Sequence, residues 1–193
     1  DILIPRLQKT DSIIDVGAGR MAYMKMLKSQ GYDIHAYEPS LMAKGSNSLD
    51  MKGIIANILD AEKTVKANGL FYYCILEFVI NSIVDDEFEK AVLTLCNATL
   101  KATGTLITCT RNLEGVTRSY DQKSNSIGKG IALYCLDENN YALSIANGIA
   151  FKQKFHTRES YTALLEQFFE DVKVLRCTAN TIYCACATPK QLS

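Results

Sequence analysis

The sequence predicts an α/β fold in which a mostly parallel sheet is covered by helices on both faces. Three features point to it. β-Branched runs alternate with helical stretches along most of the 193 residues, the pattern of repeated strand–helix–strand units. The first run ends in the turn Gly17-Ala18-Gly19, where glycines admit backbone conformations closed to other residues. The chain closes on two β-rich runs, 172–177 and 181–188, joined by Thr178-Ala179-Asn180, a link short enough to force an antiparallel hairpin.

Strand-like runs fall at 12–16, 33–37, 53–57, 70–76 and 104–110, with helical stretches near 20–30, 40–49, 60–67 and 85–101 between them. The second run closes on Glu38, ahead of Pro39-Ser40. The third ends at Ala56-Asn57-Ile58, and the fourth opens an apolar stretch, 70–83, interrupted by the isolated acid Glu77. Between Arg111 and Thr157 the rhythm breaks. Residues 131–135 and 141–145 flank Asp137-Glu138-Asn139-Asn140 and read as a hairpin able to form a lid. Thr157 then caps a helix running to about Phe169, where Glu159 suits the helix dipole.

With 48% hydrophobic residues, the chain suits one well-packed domain spanning 1–193, with 112–156 as a substrate-side insertion. No apolar run approaches the roughly 20 residues that a membrane span requires, and the start lacks a secretion signal, so the expected location is cytoplasmic. Seven cysteines, at 74, 96, 109, 135, 177, 184 and 186, include no Cys-x-x-Cys pair and read as reduced thiols, mostly buried. No cluster has metal-ligand spacing. The sequence does not open on Met and reaches its first strand only a dozen residues in, which leaves room for an additional domain of a longer chain.

The chemistry concentrates at Ile13-Ile14-Asp15-Val16-Gly17-Ala18-Gly19-Arg20 and at Glu38. An acid about 20 residues beyond a glycine turn can accept both hydroxyls of a ribose. Gly17-x-Gly19-x-x-Ala22 also satisfies a loose dinucleotide pattern. A pyrophosphate, however, needs free amides and a positive helix end, which a carboxylate at Asp15 opposes. An acid there suits a cofactor bearing an ammonium and a sulfonium. Asp15-Val16-Gly17-Ala18-Gly19 resembles the first motif, Asp-x-Gly-x-Gly, of the class I S-adenosylmethionine-dependent methyltransferases.

That resemblance implies a Rossmann-like, mostly parallel seven-stranded sheet ending in an antiparallel hairpin, with S-adenosylmethionine as cofactor. It assigns Asp15, Gly17, Ala18, Gly19 and Arg20 to the methionine and ribose side, and Glu38, with Pro39 beside it, to the ribose hydroxyls. By position, Asn57 would accept from the adenine amino group and Ile58 would cover the ring. Glu77 and Phe78 would flank the transferable methyl by charge and by aromatic face, and Tyr23 would close over the cofactor. The sequence departs from the family at Asn57, where Asp is commoner, and at Tyr72, where Asp is also expected. Residues 78–86 are in addition similar to a segment of methyltransferases associated with DNA phosphorothioation systems, and 151–157 loosely so.

The acceptor is less legible. Neither the Asn/Asp-Pro-Pro-Tyr motif of amino-group DNA methyltransferases nor a Pro-Cys nucleophile is present. Residues 101–158 hold eight Lys and Arg against four Asp and Glu, a local +4 in a neutral chain; a solvated face explains this as well as a phosphate track does. For a base, His156 beside the helix cap is the candidate and His35, inside a strand, is not. Asn81 reads as a helix-start hydrogen bond. The reading is a methyltransferase acting on an O or N acceptor, a small molecule in preference to nucleic acid. A nicotinamide-dependent oxidoreductase and a non-catalytic cofactor-binding domain of a larger protein are the alternatives.

Overall fold

A computed structural model describes residues 4–41, 43–44, 48–119, 132–135, 140–144 and 150–191. Ile13 and Ile14 open the sheet in β1 (Ser12–Val16), and the glycine turn feeds α1 (Ala22–Ser29). β2 (Asp33–Tyr37) returns parallel to β1, with Asp15 opposite Ala36. α2 (Met51–Asn68) follows, then β3 (Phe71–Glu77), α3 (Asp86–Thr99) and β4 (Leu100–Arg111). After α4 (Leu113–Ser119) the chain forms β5 (Ala132–Cys135), β6 (Asn140–Ser144) and β7 (Ala150–Lys154). It ends with α5 (Arg158–Leu165), β8 (Phe169–Cys177) and β9 (Thr181–Pro189).

The main sheet has the order β2-β1-β3-β4-β9-β8. Its first four strands are parallel, and β9 inserts antiparallel between β4 and β8, as the tight terminal turn requires. β5, β6 and β7 make a separate antiparallel sheet. The hairpin expected at its start is present, and β7 extends it by a strand.

One expected strand is replaced by a helix. Residues 53–57 lie inside α2, so the sheet has six strands among the described residues rather than seven. Asp50 accepts from the Gly53 amide at 3.0 Å and starts the helix, and the 18-residue length lets one helix absorb an apolar run that periodicity leaves ambiguous. Ile54 is buried while Ile55, Ile58 and Leu59 are exposed, the one-sided burial of a helix rather than strand alternation. The helix expected over 40–49 is not formed among its described residues, which run as turn and bend.

Two apolar layers clasp the sheet, because successive strand residues face opposite sides. Ile13, Ile34, Ile75 and Ile107 pack with Leu27 of α1. Ile14, Cys74, Leu76 and Leu106 pack with Leu93 of α3 and Tyr161 of α5. The Tyr161 hydroxyl lies 2.6 Å from the Thr108 hydroxyl, which in turn donates to the Leu76 carbonyl at 2.8 Å, so this buried phenol is satisfied. Cys74, Cys96, Cys109, Cys184 and Cys186 are buried free thiols, and Cys177 is an exposed one. Among the described residues no helix is long and apolar enough to cross a membrane.

Candidate cofactor site at the carboxyl edge of the sheet

Strand alternation decides where the acids point. Asp15 lies two residues beyond Ile13, Glu77 two beyond Ile75 and Glu38 four beyond Ile34, so all three fall on the α1 side of the sheet at its carboxyl edge. Ligands of open α/β sheets bind at that edge. Burial raises the Asp15 carboxyl to about 7, with Glu77 and then Glu38 adding to the shift. Burial also raises Glu77. Neither carboxylate accepts a hydrogen bond from the described residues. A buried, unpaired acid carries a desolvation cost of several kcal/mol that an opposite charge would offset. The cluster therefore suits a cationic ligand.

The glycine turn is organised by Glu38. Its Oε2 accepts from the Gly19 amide at 2.5 Å and its Oε1 from the Ser40 amide at 2.7 Å. Gly17 anchors the turn by donating to the Tyr37 carbonyl at 2.8 Å. Both glycines have positive φ, 74° and 54°, a region open chiefly to glycine. At Gly17 a Cβ would overlap Val79 Cγ2, whereas at Gly19 it would meet only open space. Gly17 thus serves close packing against the segment after β3, and Gly19 leaves the mouth clear. Because the Gly19 amide is held by a carboxylate, it is not presented to a phosphate, which opposes the dinucleotide alternative.

Tyr23 of α1 joins the cluster. Burial lifts its hydroxyl to about 12, helped first by Glu77 and then by Asp15, Tyr183 and Tyr32. Arg20 and Pro39 are exposed on the rim and Ala18 is half-buried within the turn. Asn57 and Ile58 do not stand at a strand end as expected, because their segment is helical. Asn57 Nδ2 lies 4.0 Å from Met21 Sδ, so α2 brings it beside the turn, while Ile58 is 42% exposed on the same helix.

Phe78 takes the left-handed conformation, φ 57°, which costs a bulky residue about 1–2 kcal/mol. Its amide donates to the Cys109 carbonyl at 3.1 Å and holds the bend. The ring meets Tyr183 edge-on, with centroids 6.5 Å apart at 83°, and lies 5.4 Å from Arg111 Cζ. Tyr183 carries no signal in the sequence. It reaches the edge because β9 runs antiparallel to β4, in a register that sets it opposite Cys109. Burial, with Cys109 and Glu77, lifts the Tyr183 hydroxyl to about 12, against the nearby Arg176.

His156 is brought to a different place. It is buried on the α3–α5 side, its Nε2 is 2.8 Å from Glu89 Oε1, and its ring centroid is 5.5 Å from that of Tyr161. Lys154 shares Glu89 at 2.5 Å and reaches Asp86 at 2.6 Å. The structure does not bring His156 to the carboxylate cluster. His35 is held between Asp60 and Asp33, at 2.6 and 3.0 Å. Asn81 does not start α3; Asp85 caps it, accepting from the Glu87 and Phe88 amides at 3.0 Å. Asn81 is instead buried in the turn Ile80–Ser82, its Oδ1 without a partner among the described residues. Of the basic excess in 101–158, Arg118 pairs with Glu114 and Lys154 with the acids of α3, which thins any phosphate track.

No protein-family model matches the chain, and no curated protein matches it in sequence. Solved structures do match in fold. A protein from Pyrococcus horikoshii OT3, PH0226, superposes with a TM-score of 0.62 at 13% identity, covering 97% of this chain and 86% of its own. An S-adenosylmethionine-dependent methyltransferase from Clostridium acetobutylicum gives 0.54 at 12% identity, over 92% of this chain and 83% of its own. The glycopeptide N-methyltransferase MtfA, solved with S-adenosyl-L-homocysteine, gives 0.57 at 9% identity, over 94% and 84%. The chain has the Rossmann-like fold of S-adenosylmethionine-dependent methyltransferases. These matches carry no link to DNA phosphorothioation.

Proposed function

We propose that this protein is an S-adenosylmethionine-dependent methyltransferase acting on an O or N acceptor, a small molecule in preference to nucleic acid. The observation that carries the reading is the convergence of Asp15, Glu38 and Glu77 on a glycine turn whose Gly19 amide is already held by Glu38. A site with three acids and an engaged turn amide favours a cationic ligand over a pyrophosphate. The fold shared with methyltransferases adds to this.

In this reading Asp15 and Glu77 meet the positive charge of the cofactor, and Glu38 shapes the turn while its remaining lone pairs take ribose hydroxyls. Asn57 contributes from α2 beside the turn, and Tyr23 with Phe78 covers the site. When bound, the cofactor supplies an electrophilic methyl for in-line displacement, a reaction promoted largely by holding the partners at attack distance. Residues 1–193 form one catalytic unit in which 112–156, carrying α4 and the small sheet, lies on the substrate side. The buried free thiols suit a reducing cytoplasm.

Calorimetry of S-adenosylmethionine, S-adenosylhomocysteine and NAD against the wild type and Glu38→Ala tests the assignment. The expected result is micromolar binding of both sulfur ligands, lost in the variant, and none of NAD. Binding of NAD alone would overturn it.

A further inference from the structure

Across the carboxyl edge of the sheet the charge changes sign. Glu38, Asp15 and Glu77 stand at the ends of β2, β1 and β3. Beyond them, on the same side, stand Arg111 at the end of β4, two residues past Cys109, and Arg176 of β8, in direct register with Tyr183. Both arginines are exposed, and among the described residues neither is ion-paired with a carboxylate. Phe78 and Tyr183 lie at the boundary. Resting on the cofactor reading, we infer that Arg111 anchors a negatively charged group, a carboxylate or a phosphate, on the methyl acceptor, with Phe78 and Tyr183 framing the rest of it.

The geometry supports this in three ways. The Arg111 backbone is fixed: its carbonyl accepts from the His156 amide at 3.3 Å and it pairs across the ladder with Thr181. Its side chain is therefore presented from a rigid base, as specific recognition requires. The guanidinium lies over the Phe78 ring, and a guanidinium packed on an aromatic face keeps its N–H edge open for a two-point bond to an oxyanion. The left-handed backbone of Phe78 aims that ring where the strand would otherwise turn it away, and conformations of this kind collect at ligand sites. An anion at the end of β4 stands two and three strands away from Asp15 and Glu38, and the guanidinium offsets the field of Glu77 that reaches Tyr183.

The test is titration of benzoate, phenyl phosphate, benzyl alcohol and benzylamine by protein-observed NMR, with and without saturating S-adenosylhomocysteine. In the wild type the two anions bind and perturb Phe78 and Tyr183, while the alcohol and the amine bind at least tenfold more weakly. Arg111→Met weakens the anions at least tenfold with S-adenosylhomocysteine affinity kept within twofold, and Arg111→Lys recovers part of the loss. Equal binding of the amine, undiminished anion binding by Arg111→Met, or no anion binding in either series would overturn the inference. Failure of S-adenosylhomocysteine to bind would strike the cofactor reading instead, and the series without it still reads the arginine.

Discussion

Gly19 donates its amide to the Glu38 carboxylate at 2.5 Å, so one bond joins the turn after β1 to the end of β2. The second oxygen of Glu38 holds the Ser40 amide. The residue assigned to the ribose thus also builds the turn that faces it. Glu38→Gln leaves one oxygen for two amides, and Glu38→Ala leaves none. We expect S-adenosylmethionine affinity to fall about tenfold in the first and a hundredfold or more in the second, with roughly 1–3 kcal/mol of stability lost in the alanine variant. Calorimetry and urea unfolding read the two effects separately.

Asp15 makes binding depend on pH. With its carboxyl at about 7, a cationic ligand must displace a proton below that value. S-adenosylmethionine affinity should rise about tenfold per pH unit up to pH 7 and level off above it, with proton release in the acidic range. Calorimetry in buffers of different ionisation enthalpy measures that release. A flat profile from pH 5.5 to 8.5 would count against a cation beside Asp15.

The same acid shapes stability with the opposite sense. The folded protein keeps a proton that the unfolded chain releases near 3.8, so stability falls as pH rises from about 4 to about 7. Asp15→Asn should relieve the strain of the ionised form, on the order of 2–4 kcal/mol at pH 8, while abolishing cofactor binding. Thermal unfolding at pH 5 and pH 8 checks it: the variant gains at both, and clearly more at pH 8 than at pH 5, because the unfolded chain is already ionised at pH 5 while the folded protein loses its proton only near pH 7.

Gly17 is expected to tolerate no side chain. Its φ of 74° and the overlap of a Cβ with Val79 Cγ2 predict that Gly17→Ala loses about 2–4 kcal/mol. Adding Val79→Ala removes the clash and leaves the backbone cost. Urea unfolding of the double variant should recover part of the loss and not all of it.

Glu89 holds both Lys154 and His156 while only 2% exposed. Glu89→Ala leaves two buried cationic or polar groups without their shared acceptor and should cost about 3–5 kcal/mol. Glu89→Gln keeps an oxygen and should lose less. Unfolding by denaturant orders the three proteins, and equal stability of Glu89→Ala and wild type would show that the cluster contributes little.

The sequence alone determined the parallel framework, the reversed terminal hairpin and the acid–glycine turn, because these depend on local signals. The short strand-like runs at 12–16 and 33–37 mark strands without help from the rest of the chain, and a three-residue link leaves a hairpin little choice. Only the tertiary structure decided the state of 53–57, since an apolar run of that length satisfies strand and helix equally until packing and the Asp50 cap select one. It likewise separated His156 from the glycine turn and brought Tyr183, Arg111 and Arg176 to the edge that Glu77 occupies. The placements of Arg111, Tyr183 and Arg176 follow from the β3–β4–β9–β8 register. Register is a relation between segments some seventy residues apart, and strand patterning fixes which face a residue takes without fixing which neighbour it meets.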